Sequence, residues 1–129
     1  MRIVLILVAV LAFSAPAASA APQLVVERTG GIAGVNDRLV IARGGAGTVT
    51  HRTSPARRLK PRETRAVRAA LRAADLPTLA RAYRPRGVVN DGFVLVLRAG
   101  GHTVRVEQGA EDVPARLRAL MAAAVKLLD

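Results

Sequence analysis

Residues 93–107 read FVLVLRAGGHTVRVE and carry the clearest structural signal in the 129-residue chain. Apolar and β-branched residues dominate positions 93–98 and 103–107, and Gly100 and Gly101 lie between these two runs. Such a pattern is typical of a β-hairpin, because glycine adopts the positive φ angles that a tight turn requires. The stretch therefore predicts two antiparallel strands joined by a short turn.

Further strand signals precede this hairpin. Residues 23–28 and 39–41 are rich in valine, leucine and isoleucine, and a glycine-rich turn at residues 44–47 separates the second run from a shorter one at 48–50. Short β-branched runs bounded by glycine are typical of strands in a sheet. Residues 51–60 contain proline, serine and charged side chains without periodicity, which predicts a loop.

Two helices are predicted by apolar residues spaced three and four positions apart. Pro61 suits the first position of the first helix, where its missing N–H is not needed, and Pro77 ends that helix near Asp75 or Leu76. The last helix is expected to begin at about Asp112, a suitable cap. The apolar stripes are Val67, Ala70, Leu71 and Ala74 in the first helix, and Val113, Leu117, Leu120, Met121, Ala124 and Leu128 in the last.

The order of these elements indicates the fold class. Strands, a helix, a hairpin and a final helix follow one another in a chain that has room for one modest core. We therefore expect an α+β fold in which an antiparallel sheet of four to five strands carries two main helices on one face. Residues 21–129 are expected to form this single domain.

The first twenty residues predict a signal peptide. Arg2 precedes an unbroken apolar run at residues 3–13, and residues 18–20 (ASA) have the small-x-small pattern that signal peptidase cuts. The run is too short to cross a bilayer, so we expect cleavage after Ala20, no transmembrane segment in the mature chain, and a secreted or extracytoplasmic protein. The chain has no cysteine, which excludes a lipoprotein anchor and a disulfide framework.

The charge of the chain suggests one class of partner and excludes another. A formal net charge of +11 attracts anionic membranes, cell-wall polymers and nucleic acid. Beyond residue 20 the aromatic residues are Tyr83 and Phe93, too few for a base-stacking platform, so we expect no nucleic-acid partner. An alternative function is an exported basic envelope or adhesion protein that binds anionic polymers through an arginine-rich face of the first helix. That face comprises Arg62, Arg65, Arg68 and Arg72.

Catalytic motifs are missing from the sequence. Ser54 is the one serine beyond residue 20, and it has no G-x-S-x-G context. His51 and His102 lack the spacing of metal ligands and are interpreted as solvated loop histidines. Glu111 and Asp112 fit the start of a helix, where acids are favourable. Neither glycine run has the pattern of a nucleotide-binding loop, so we expect no enzyme, no cofactor and no metal site.

The segment with most bearing on function is the glycine-rich loop Gly30-Gly31-Ile32-Ala33-Gly34 between two predicted strands. Three glycines in five positions are compatible with a simple hairpin turn. Glycine-rich hairpin connections are common, which favours the simple turn. Three glycines exceed what a two-residue turn needs, however, and together with Ile32 they favour a loop that another molecule approaches closely. An exposed apolar side chain between permissive residues is suited to insertion into a pocket on a partner.

These residues also resemble a known family. The strand VVERT at residues 25–29 runs into GGIAG at residues 30–34. An arginine-rich helix opened by Pro61, the stop Asp75-Leu76-Pro77, the segment Asn90-Asp91-Gly92-Phe93 before the hairpin, and a terminal amphipathic helix follow in order. This arrangement resembles the emfourin family, small bacterial inhibitors of thermolysin-like (protealysin-like) zinc metalloproteases. The resemblance covers about residues 24–128.

The resemblance implies a partner and a binding site. The partner would be a thermolysin-like metalloprotease, whose cleft binds a hydrophobic side chain just beyond the scissile bond, and Ile32 would occupy that pocket. The loop either enters the cleft or only covers it. We expect a monomer, with self-association through edge strands as the alternative. The implied binding loop is Gly30, Gly31, Ile32, Ala33 and Gly34, and a secondary contact is implied for Asn90, Asp91 and Gly92.

Overall fold

A computed structural model describes residues 21–129, and the predicted signal peptide lies outside the described residues. The sheet has seven strands in the spatial order β4-β3-β2-β1-β6-β7-β5. The strands are β1 (Leu24–Gly30), β2 (Val35–Ile41), β3 (Gly47–His51), β4 (Arg57–Arg58), β5 (Ala82–Tyr83), β6 (Phe93–Ala99) and β7 (His102–Glu107). The two helices are α1 (Pro61–Ala74) and α2 (Ala115–Leu128), and a short 3-10 helix spans Leu76–Thr78.

The predicted α+β class is confirmed, with a larger sheet than expected. The two additional strands, β4 and β5, have two residues each and lie at the two edges of the sheet. Strand β5 runs parallel to β7, so the sheet is mixed rather than purely antiparallel. Strands of two residues have no periodicity of their own. They form because neighbouring strands offer unpaired backbone groups.

The core lies between one face of the sheet and the helices. Side chains alternate between the two faces of a strand, so Val26 and its register partners Leu39 and Leu97 all point toward the helices. All three are fully buried. The apolar faces of α1 and α2 complete the same buried cluster, with Val67 and Leu120 among their contributions. The expectation that both helices cover one face is met.

Local signals set the bounds of the first helix correctly. Pro61 is its first residue, and the Glu63 carboxylate accepts a hydrogen bond from the Lys60 backbone nitrogen at 2.6 Å. Asp75 follows the helix in the left-handed conformation, at φ +51°. The second helix begins at Ala115, three residues later than Asp112, so the predicted cap is wrong. Residues 111–113 are not helical, and the N-cap of α2 is Pro114.

Neither helix between residues 21 and 129 combines the length and the apolar character needed to cross a membrane.

Candidate functional site

The glycine-rich loop is the tip of the hairpin formed by β1 and β2. Gly30 pairs with Val35, and residues 31–34 form the connection. The Gly34 nitrogen donates a hydrogen bond to the Gly31 carbonyl oxygen at 3.0 Å and closes the turn. Ile32 lies at the tip with 92% of its surface exposed. The segment is therefore a hairpin turn that presents a bare aliphatic side chain.

The loop is held against the neighbouring strand β6. Gly30 and Gly31 have φ angles of +107° and +76°, which side chains of L-residues rarely adopt. A Cβ atom at Gly30 would collide with the Gly92 carbonyl oxygen, and one at Gly31 would lie 2.8 Å from the Phe93 ring. Glycine is thus required here both by the backbone and by close packing. These contacts hold the loop in a fixed position against the start of β6.

The predicted secondary contact lies beside the predicted binding loop. Asp91 adopts φ +56°, and Phe93 is the register partner of Gly30 across β1 and β6. The Phe93 nitrogen donates to Gln108 Oε1 at 2.9 Å, and the Gln108 nitrogen donates to the Phe93 carbonyl oxygen at the same distance. Residues 90–92 therefore end on a fixed strand next to the loop. The two segments belong to one surface.

Two residues of this surface were missed by the sequence analysis. Val88 is 91% exposed and Val89 is 44% exposed, in the connection between β5 and β6, to which the sequence analysis assigned no role. The Val89 side chain lies close to Gly92, since a Cβ atom at Gly92 would come within 3.0 Å of Val89 Cγ1, and this places Val89 at the same end of the sheet. The signal was available as two adjacent valines in an otherwise polar connection. We call Ile32, Val88, Val89 and Phe93 the apolar tip, and they are the large exposed hydrophobic residues of the described chain.

A charged network lies on the helix-facing side of the sheet behind the loop. Arg28, Asp37 and His51 are direct register partners across β1, β2 and β3. Arg28 Nη2 donates to Asp37 Oδ2 at 2.7 Å, and its Nη1 donates to Asp129 Oδ1 at the end of α2, also at 2.7 Å. The side chain of Arg28 also lies over the Phe93 ring, 5.8 Å from its centre. The network joins three strands to α2 and supports the residue that braces the loop.

His51 belongs to this network, so its interpretation as a solvated loop histidine is wrong. Its Nδ1 atom lies 2.8 Å from Asp37 Oδ1, and since a carboxylate only accepts, Nδ1 carries the proton. Burial alone would raise the pKa of the Asp37 carboxyl. The hydrogen bonds from His51 and Arg28, together with the charge of Arg28, outweigh it and hold the pKa below its ordinary value.

The histidine faces a cavity of about 540 Å³, whose lining also includes Gly34, Arg52 and Ser54. Ser54 takes no part in the hydrogen-bond network that runs through residues 28, 37, 51 and 129 of the described chain. His51 and Asp37 therefore form a histidine–carboxylate pair, and Ser54 is not hydrogen-bonded to that histidine. His102 is exposed at the start of β7.

The arginine face of α1 is narrower than predicted. Arg62, Arg65 and Arg72 are exposed, but Arg68 is half-buried and its Nε donates to Gln23 Oε1 at 2.8 Å. Arg68 therefore anchors the start of β1 instead of facing solvent fully. Three guanidinium groups remain on the outer surface of the helix.

Within residues 21–129 no three histidine, aspartate or glutamate side chains are grouped closely enough to hold a metal ion. Comparisons with protein-family models, with curated proteins and with solved structures found no match for the chain.

Proposed function

We propose that the protein is a secreted inhibitor of a thermolysin-like zinc metalloprotease and that residues 30–34 block the active-site cleft. One observation carries the proposal: Ile32 is 92% exposed at the tip of a turn that packs closely against Gly92 and Phe93. A soluble domain gains nothing in stability from an isoleucine in this position, since burial is what makes an aliphatic side chain favourable. Burial of the Ile32 side chain in a partner would account for its exposed position.

The rigidity of the loop favours tight binding. A flexible peptide loses conformational entropy when a protease cleft orders it, whereas a turn locked by Gly92 and Phe93 has already lost that entropy. The free energy gained by burying Ile32 is then available for affinity.

The backbone of the loop also disfavours cleavage. Proteases bind the residues around a scissile bond in an extended conformation, as an added strand. Gly30, Gly31 and Gly34 all have positive φ angles, and the hydrogen bond between Gly31 and Gly34 holds them in a turn. Hydrolysis would require the hairpin tip to open. The loop is expected to occupy the cleft and remain intact.

The rest of the apolar tip would contact the rim of the cleft. Val88 and Val89 lie beside residues 90–92, so a protease that receives Ile32 is expected to meet this segment next. An apolar centre of this kind, ringed by polar residues, is the usual composition of a protein interface. Export, with cleavage after Ala20, is part of the same proposal, and mass measurement of the secreted protein tests it.

The direct experiment is titration of a thermolysin-like protease with the purified protein and with Ile32→Asp. We expect inhibition by the wild type and a loss of affinity of about 100-fold or more for the variant, since a charge buried without a partner costs roughly 3 kcal/mol. Ile32→Leu is the matched control and is expected to remain within about tenfold of the wild type. Equal potency of Ile32→Asp would rule out insertion of this side chain.

A second candidate function rests on the outer face of α1. Arg62, Arg65 and Arg72 are exposed, and none of them forms an ion pair within residues 21–129. Three unneutralised guanidinium groups on one helix suit binding to an anionic polymer of the cell envelope.

A further inference from the structure

A second apolar feature lies between the sheet and α2. Strands β6 and β7 and the helix line a half-open cavity of about 460 Å³, within the size range of small-molecule sites. Its walls are aliphatic: Leu95 and Val106 come from the sheet, and Met121 and Val125 come from the helix. Phe93 stands at its edge and is 37% exposed. Residues 30–34 of the glycine-rich loop do not line this cavity.

The charged groups at its rim are not equivalent. Arg28 is already neutralised by Asp37 and Asp129, at 2.7 Å from each. Glu107 is paired with Arg105 at 3.4 Å and with Arg84 at 3.6 Å. The charges of Arg28 and Glu107 are therefore each balanced by neighbouring side chains of the protein.

Arg118 is the remaining charge at the rim. Its Nη1 donates to the Val113 carbonyl oxygen at 2.9 Å, and no carboxylate in residues 21–129 lies within ion-pair distance of it. Gln108 also lines the cavity. Its Oε1 accepts a hydrogen bond from the Phe93 nitrogen, and its amide NH₂ has no hydrogen-bond partner within residues 21–129. The rim thus offers unused N–H donors and a net positive charge above an aliphatic interior.

We propose that this cavity binds a small amphiphile with an aliphatic chain and a carboxylate head, such as a medium-chain fatty acid. The chain would lie between Val106 and Met121, and the carboxylate would accept hydrogen bonds from Arg118 and Gln108. A carboxylate matches the planar donor fork of arginine. Arg118 has no acidic partner within residues 21–129, so its charge attracts a carboxylate and repels a cation. This proposal does not rest on protease binding, and the two sites share Phe93, which belongs to the apolar tip and lines the edge of the cavity.

Isothermal titration calorimetry of the purified protein tests this site, with decanoate below its micelle concentration as the probe. Decanol is the control for the head group and decyltrimethylammonium is the control for the charge. We expect decanoate to bind at one site per chain and at least tenfold more tightly than either control. Equal binding of decanoate and decanol, or no binding of decanoate, would overturn the proposal.

Variants separate the two parts of the site. Met121→Trp is expected to fill the cavity and weaken decanoate at least tenfold, and Val125→Phe repeats the test if the first variant misfolds. The matched control is Ala122→Trp on the exposed side of the same helix, which should leave binding unchanged. Decanoate binding that survives both cavity-filling variants would contradict the assignment.

The head-group contact is tested at Arg118. Arg118→Gln should weaken decanoate about tenfold and leave decanol unchanged, since hydrogen bonds to a charged group are lost. Arg116→Gln removes the same charge from the same helix but from a side chain that bonds Thr78 instead, and it should have no effect. Equal losses in the two variants would show that only net charge matters, and the proposed contact would be wrong.

Discussion

Gly30 shows how much a single residue determines at the loop. Its φ angle of +107° and the adjacent Gly92 carbonyl both exclude a side chain. We expect Gly30→Ala to lower the free energy of unfolding by about 2 kcal/mol, through backbone strain and displacement of β6. Gly44→Ala is the control, because Gly44 has open space around its Cα and no positive φ, and it should change stability by less than about 0.5 kcal/mol. Urea denaturation of both variants measures this, and equal stabilities would contradict the close packing.

Individual residues differ in how far their environment could be predicted from the sequence. The exposure of Ile32 could be predicted, because a β-branched residue among glycines has no strand neighbour to pack against. The contact between Asp37 and His51 could not, since it depends on the register of β2 and β3 across a separation of 14 residues. With that register known, Arg28, Asp37 and His51 line up directly. The polar network is a property of the sheet rather than of any local motif.

At the scale of elements, Asp37 on β2 links β1 and β3 through its bonds to Arg28 and His51. Its folded pKa is lowered, so its contribution to stability is present above the unfolded pKa of about 3.9 and is lost as the pH falls through the folded pKa. We expect Asp37→Asn to be less stable than the wild type by about 3 kcal/mol at neutral pH. The difference should shrink as the pH falls through the folded pKa, because the wild-type carboxyl then becomes neutral as well. Chemical denaturation at several pH values tests this, and a difference independent of pH would exclude the proposed ion pair.

The arginine face of α1 makes a separate prediction. Replacement of Arg62, Arg65 and Arg72 by glutamine should lower the salt concentration at which the protein leaves a polyanion column, since interactions of exposed charges are screened. The same triple variant should inhibit the protease within about twofold of the wild type, because the loop and not the helix carries the proposed contact. Loss of inhibition by more than tenfold would place α1 in the interface.

For the whole molecule, the sheet edges argue against self-association. The edge strands β4 and β5 have two residues each, and β4 consists of Arg57 and Arg58, both exposed. Short, charged edges discourage pairing with another chain. We expect size-exclusion chromatography with light scattering to give the mass of a monomer from micromolar to near-millimolar concentration. A dimer would show that another surface, such as the apolar tip, associates with itself.

Much of the architecture followed from local patterns. The hairpin of β6 and β7 was predicted within one residue and the bounds of α1 within two, because glycine, proline and alternation act locally. The start of α2 was predicted wrongly, since Asp112 fits a cap by residue type although the chain around it is not helical. The short edge strands depend on tertiary neighbours. The two-layer arrangement with helices on one face could therefore be predicted, and its edges could not.

The proposal that the loop occupies the protease cleft is tested most directly by competition. Binding of the protein to a thermolysin-like protease is measured by isothermal titration calorimetry, alone and with a saturating small hydroxamate on the active-site zinc. We expect the hydroxamate to weaken binding at least tenfold, because both molecules require the space that Ile32 would fill. Undiminished binding in the presence of the hydroxamate, or no binding to the protease at all, would contradict the proposal.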